Sequence, residues 1–168
     1  PGSVFVHNRL THSLEVSSVG RSLGADVARL LIPRYAGEDV AALESISAIV
    51  SAACLAHDLG IPPFGHEGEA AIRSFFAEGE GLHLQDKLPI EVWNDITHFD
   101  GNANTFRLLT HQFNGRRAGG FVMTYSTLAA IAKYPFSSSL ATHPKFGFFE
   151  AEREAFSHIF HALGIPVL

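Results

Sequence analysis

Apolar residues recur along most of the chain at the three-to-four-residue spacing of helices, and Gly and Pro cut that pattern into segments. Leu10, Leu14, Val19, Leu23, Val27 and Leu30 predict an amphipathic helix stopped at Pro33. Ala41 to Leu59 is apolar nearly all round, which predicts a buried central helix; Gly60 caps it and Pro62-Pro63 forbid its continuation. Gly65 to Glu78 predicts a third helix, ended by Gly79. Asp100 can cap a helix running to Asn114, where Asn114-Gly115 signals a stop. Thr124 to Tyr134 ends at Pro135, and Glu150 to Leu163 precedes Gly164 and Pro166. Phe121-Val122-Met123 is the one short strand candidate, and Gly79 to Leu88 and Phe136 to Gly147 read as loops. The pattern predicts an all-α fold without internal repeats.

At 168 residues and 18.2 kDa the chain is expected to be one domain, or part of one. Hydrophobic residues at 46% against 17% charged argue against disorder. A net charge of −5 argues against a general nucleic-acid coat or a basic membrane patch. The single cysteine, Cys54, excludes an intrachain disulfide framework and fits a reducing, cytoplasmic setting. No apolar run approaches the ~18 residues of a membrane span, and Pro1-Gly2-Ser3-Val4-Phe5 has neither the basic nor the apolar region of a signal peptide. Ten histidines, nearly as many as the 12 Lys+Arg, bring metal-assisted and acid–base chemistry into view.

That chemistry concentrates in three segments: His7 to Val16, Ala56-His57-Asp58-Leu59-Gly60, and Ile61 to Glu69. A carboxylate at the end of so apolar a helix is costly unless it is paired or binds a cation. His57 and Asp58 can share a metal if other elements close the shell, and His12 is the natural third ligand. Imidazole plus carboxylate suits Mn, Fe, Co, Ni or Zn, with Mg also a candidate. The plainer alternative is an aspartate that orients the ring or ends the helix. His66 and Glu69, at i and i+3, share a helix face. A carboxylate bonded to an imidazole fixes its tautomer and favours a general acid. The alternative there is a first-turn acid facing the helix dipole.

Taken together, Arg9-Leu10-Thr11-His12-Ser13-Leu14-Glu15-Val16, Ala56-His57-Asp58-Leu59-Gly60 and Pro62-Pro63-Phe64-Gly65-His66-Glu67-Gly68-Glu69 resemble the HD-domain metal-dependent phosphohydrolases. More narrowly, they are similar to the deoxyguanosinetriphosphate triphosphohydrolase (dGTPase-like) family. Phe99-Asp100-Gly101-Asn102-Ala103-Asn104-Thr105-Phe106-Arg107, Ala132-Lys133-Tyr134-Pro135 and Lys145-Phe146-Gly147-Phe148-Phe149 agree with it. The resemblance implies an HD-type helical bundle over residues 1–168, an incomplete portion of the full domain. It implies His12, His57 and Asp58 as ligands of a divalent metal, His66 as the catalytic histidine and Glu69 as its acidic partner. Arg9 is implied to contact the substrate phosphates, and Asn102, Lys133 and Tyr134 to help hold a triphosphate. The activity implied is hydrolysis of a deoxynucleoside triphosphate to the deoxynucleoside and tripolyphosphate, by a homo-oligomer.

The departures matter as well. By the resemblance a further aspartate from a later helix completes the metal shell, yet the sequence contains no aspartate after Asp100. The expectation is therefore a portion of a longer polypeptide. Two other readings stay open: another phosphoester activity, such as a nucleoside 5′-monophosphatase or cyclic-nucleotide phosphodiesterase, and a non-catalytic nucleotide-binding regulatory module. Arg116-Arg117 could contact phosphate or single-stranded nucleic acid, although a solvated loop is the simpler reading. His158 and His161 read as surface or interface residues, and Cys54 as a small buried hydrophobe.

Overall fold

The computed structural model describes residues 7–35, 37, 40–115, 117–118, 120–140 and 145–166. Among them the fold is all-α, with a single isolated parallel bridge between Ser137 and Phe148 in place of any sheet. The α-helices are α1 Arg9–Leu31, α2 Ala41–Glu44, α3 Ile46–Ala56, α4 His66–Ala77, α5 Ile90–Thr97, α6 Gly101–Thr110, α7 Tyr125–Ile131 and α8 Arg153–Ala162. Short 3-10 turns occupy Ile32–Tyr35, Glu80–Lys87, Ser138–Leu140 and Glu150–Glu152. Two compact units result, Pro1–Asp58 and Leu59–Leu168. No helix of the described residues is long and apolar enough to cross a membrane.

In the first unit α1 begins at a reciprocal cap. The Thr11 amide donates to Asn8 Oδ1 at 3.0 Å and the Asn8 amide donates to Thr11 Oγ1 at 2.9 Å. α1 then packs on α3 through small residues. Ser13, Gly20, Gly24 and Ala28 are its buried positions. A Cβ on Gly24 would lie 2.8 Å from Ser47 Cα, and one on Gly20 would lie 2.6 Å from Cys54 Sγ. At such close approach the two helices exchange polar bonds: Ser17 Oγ donates to the Ser51 carbonyl and Ser47 Oγ to the Arg21 carbonyl, each at 2.9 Å.

This reverses the expected facing of α1. Leu10, Leu14, Val19, Leu23, Val27 and Leu30 are 46–68% exposed, because the helix that meets α1 fits only against its small-residue stripe. The expected buried central helix is corrected too. It breaks at Ser45 into α2 and α3, and only Ser51 and Ala53 of α3 are buried. Pro33 falls in the 3-10 turn that follows α1, where a missing amide is tolerated.

The second unit has the aromatic core. Phe106, Phe146 and Phe156 are fully buried. Phe156 stacks on Phe148 and Phe160 with ring centroids 4.2 Å apart in each pair, and meets Phe106 edge-on at 5.2 Å. Asp95 on α5, itself buried, accepts from Ser138 Oγ at 2.7 Å and from the Glu150 amide at 2.6 Å. Arg107 on α6 holds Glu152 at 2.6 Å. Burial pushes the Asp95 and Glu152 carboxyls above their usual range.

Several elements differ from expectation. α5, whose buried residues are Trp93 and Asp95, lies in a stretch with no predicted element. Helix α6 stops at Thr110, where the chain doubles back and the Phe121 amide donates to the Leu109 carbonyl at 3.0 Å. α7 ends at Ile131, three residues short of Tyr134. Phe121-Val122-Met123 forms no strand; Val122 takes a positive φ of 55° in a turn. The predicted loop at Gly79 to Leu88 is mostly 3-10.

If small residues set the α1–α3 distance, Gly24→Ala must push backbone against backbone. The expected loss is about 1–3 kcal/mol in urea unfolding; an unchanged midpoint would disprove the close-packed interface.

Candidate functional site

The reciprocal cap at Asn8 places His12 in the first turn of α1, with its amide donating to the Asn8 carbonyl at 2.9 Å. α3 ends at His57, the C-cap residue, so Asp58 falls in the turn beyond. His57 Nδ1 lies 2.7 Å from the Cys54 carbonyl. With Nδ1–H donating there, Nε2 carries the lone pair. That Nε2 is 3.1 Å from Asp58 Oδ1, and His12 Nε2 is 3.8 Å from Asp58 Oδ2. One ligand atom from each of His12, His57 and Asp58 lies within 4.8 Å of the others. The rings of His12 and His57 meet edge-on at 5.3 Å.

A carboxylate oxygen and an imidazole nitrogen 3.1 Å apart need a proton or a cation between them. Donors that share a metal at about 2.1 Å are about 3.0–3.4 Å apart in ordinary coordination angles. The His57–Asp58 pair falls within that range, and the His12–Asp58 pair, 3.8 Å apart through the other oxygen, lies a few tenths of an ångström outside it; the donor types suit a divalent ion. His12 is also within reach of His7 and Glu15, whose side chains pair at 3.6 Å on the exposed side of the unit.

In the second unit the Pro-Pro-Phe-Gly-His-x-Gly-Glu segment makes a tight entry into α4. The Gly65 amide donates to the Pro62 carbonyl at 3.1 Å, and Gly65 takes φ 60°. Phe64, 90% exposed, also takes a positive φ of 67°, a conformation that costs about 1–2 kcal/mol in a non-glycine residue. A Cβ on Gly68 would lie 2.0 Å from the Pro63 carbonyl oxygen, so the first turn of α4 can fold onto the prolines only with glycine there. This entry sets His66 as the first residue of α4, with Glu69 one turn on.

His66 Nδ1 donates to Glu69 Oε2 at 3.0 Å, with His66 78% and Glu69 1% exposed. Glu69 Oε1 accepts from the Gly101 amide at 2.9 Å. Lys145 Nζ lies 3.2 Å from Glu69 Oε2 and 3.2 Å from Asp100 Oδ2. Asp100 is fully buried; its Oδ1 caps α6 by accepting from the Asn102 amide and side chain, each at 2.7 Å. Burial pushes the Glu69 carboxyl up, but the bonds from His66, Gly101 and Lys145 outweigh it and hold the group below its ordinary value. Burial lowers the Lys145 ammonium, and Asp100 and Glu69 beside it more than reverse that.

The other expected residues are more dispersed. Arg9 is the exposed first residue of α1, one turn before His12. Asn102 is committed to Asp100. Lys133 is exposed beyond α7, with Nζ 5.5 Å over the Tyr134 ring. His158 pairs with Tyr125, its Nε2 3.0 Å from the phenolic oxygen. Arg116, Gly119 and His143 lie outside the described residues. Sequence reasoning missed Lys145 and the second oxygen of Asp100 as site components. The available signal was a lysine heading the apolar run Phe146-Gly147-Phe148-Phe149, where a charge must find a buried partner.

Residues 9–98 match the HD domain family. The chain is 42% identical over 97% of its length to a protein of Pseudomonas aeruginosa (strain LESB58) named deoxyguanosinetriphosphate triphosphohydrolase-like protein. Proteins of the same name from Synechocystis and Listeria monocytogenes are 42% and 34% identical over 95% and 94% of the chain. The chain spans 37–39% of the length of these relatives.

Because Glu69 is held below its ordinary value of 4.5, its bonds stabilise the fold above that pH, and the stabilisation is lost as pH falls through the lower folded value. The stability gap between the native chain and Glu69→Gln is therefore expected to be full near neutrality and to shrink on acidification. Urea unfolding at about pH 6 and about pH 4 measures it. Asp95 and Glu152 titrate alike in both proteins and cancel. A gap that widens in acid contradicts the assignment.

Proposed function

The chain belongs to the HD-domain family, and from that premise we propose that it acts in the metal-dependent hydrolysis of deoxynucleoside triphosphates to deoxynucleoside and tripolyphosphate. The observation that carries this reading is the convergence of His12 with the adjacent pair His57-Asp58, which lies 45 residues further along the chain, with one ligand atom of each within 4.8 Å of the others. The family match runs across the boundary between the two compact units, and this reading treats both as one HD-type domain.

A divalent ion held by His12, His57 and Asp58 supplies Lewis acidity toward water and a phosphate oxygen. The chain's own residues supply the rest. Asp58 orients on one side toward His57 Nε2 and on the other toward His12 Nε2, so both imidazoles are directed at the same point. The Cys54 carbonyl holds the His57 tautomer that ligation needs. Attack at the α-phosphorus expels the nucleoside 5′-oxygen, which needs a proton. His66 donates it from Nε2 as the imidazolium and is left as the neutral ring with Nδ1–H still on Glu69. Arg9 offsets the charge of the triphosphate as a planar donor at the start of α1, and Lys133 does so as a point charge beside Tyr134.

Relatives bearing the triphosphohydrolase-like name over nearly all of this chain support a deoxynucleoside triphosphate over a monophosphate or cyclic nucleotide. Product analysis in the whole protein tests it: tripolyphosphate is expected, and orthophosphate from a monophosphate would replace this reading with the monophosphatase one. His66→Ala is expected to lower turnover at least roughly 10²-fold while metal binding survives. His57→Ala and Asp58→Asn are expected to lose the metal, read by metal analysis of the purified proteins. Near-normal turnover in His66→Ala removes the proton-donor assignment.

A further inference from the structure

The proton donor of the proposed reaction is held by a carboxylate that is itself held by something else. Glu69 Oε2 receives two donors, His66 Nδ1 at 3.0 Å and Lys145 Nζ at 3.2 Å. Lys145 also stands 3.2 Å from Asp100 Oδ2, an oxygen of a fully buried carboxylate. The groups facing Glu69 are thus His66 on its own helix, the Gly101 amide from α6, and Lys145, with Asp100 across the lysine. One ammonium divides two buried carboxylates.

We infer that Lys145 is a positioning residue for His66, acting through Glu69: its charge separates Glu69 from Asp100 and leaves Glu69 able to accept from the imidazole. The inference rests on the reading of His66 as the proton donor. Lys145 makes no contact with His66 in this chain of bonds, and its own ammonium is spent on the two acids. Remove it, and two carboxylates that both lay within 3.2 Å of one nitrogen face each other without a cation. They then compete for one proton. A Glu69 that carries or shares that proton is a poorer acceptor, and His66 loses its tautomer and its orientation. A change at Asp100 can repair this. Asparagine caps a helix as well as aspartate does, so Asp100→Asn keeps the α6 cap while deleting the competing charge.

The test compares Lys145→Met, Lys145→Arg and the double variant Lys145→Met with Asp100→Asn, all in the whole protein. The first readout is the ¹⁵N NMR signal of the His66 ring against pH, taken without added metal; the second is kcat and KM. Lys145→Met is expected to move the ring signals and to lower kcat about 10-fold or more, with KM changed less than about 2-fold. Lys145→Arg keeps the charge and is expected to stay near the native signals. The double variant is expected to return both readouts toward native, which a purely structural lysine would not do. If Lys145→Met fails to fold, Lys145→Gln takes its place: it keeps an N–H donor in the gap, lacks the charge, and is expected to behave as the methionine variant does. Unmoved ring signals overturn the inference, as does a double variant no closer to native than the single one. Ring signals that move while turnover does not leave Lys145 as the positioning residue and remove His66 from the role of proton donor.

Discussion

A carboxylate that is 1% exposed organises the second unit. Glu69 collects a bond from the start of its own helix, one from the first amide of α6 and one from Lys145. A buried charge of this kind is tolerated only when every lone pair is met, and breaking such a pair from one side costs about 3–5 kcal/mol in a fully buried setting. Lys145 is 27% exposed, so solvent screens part of that amount here. The consequence is positional. Gly101 must come close enough to donate to Glu69 Oε1, and a Cβ there would lie 2.8 Å from that oxygen. The entry to α6, its cap at Asp100 and the direction of His66 are therefore fixed by one group.

The two units reach compactness by different means. In the first, helices α1 and α3 approach until backbone and small side chains touch, and serine hydroxyls bond to carbonyls across the gap. Little apolar area is removed from water there, and the leucine and valine stripe of α1 remains outside. The second unit uses phenylalanine rings in offset and edge-on contact, with Asp95 and Glu152 buried among them. The close approach in the first unit is what brings His12 on α1 beside the end of α3, where His57 and Asp58 stand.

Local signals in the sequence were reliable wherever one residue type has one job. Asp100, Thr124 and Asn8 all cap helices by accepting from an amide within the first turn, and Gly and Pro mark the entry to α4. The His-Asp and His-x-x-Glu pairs are likewise local, and their spacing alone puts each pair within reach. Hydrophobic periodicity misled at α1 because it records which face is apolar, not which face a partner helix can approach. Gly20 and Gly24 decided that, and glycine has no hydropathic signal to give. Lys145 and Asp100 were hidden for a related reason: Lys145 meets Glu69 from 76 residues away and Asp100 meets that lysine from 45 residues away, and no spacing rule connects them.

The same pair of residue types, histidine and carboxylate, appears twice and is put to opposite use. Asp58 is 30% exposed and faces two imidazole nitrogens, with no Lys or Arg ion pair to it among the described residues. Glu69 is almost wholly buried and faces one imidazole together with the ammonium of Lys145. In the proposed function the charge that Asp58 needs is a divalent ion's, with Asp58 as one of its ligands. The charge that Glu69 needs is supplied by Lys145, and the same carboxylate accepts from His66 Nδ1. In the proposed function this difference in environment divides a Lewis-acid role from a Brønsted-acid role. A phosphoester hydrolase that must both activate water and protonate a leaving group requires both.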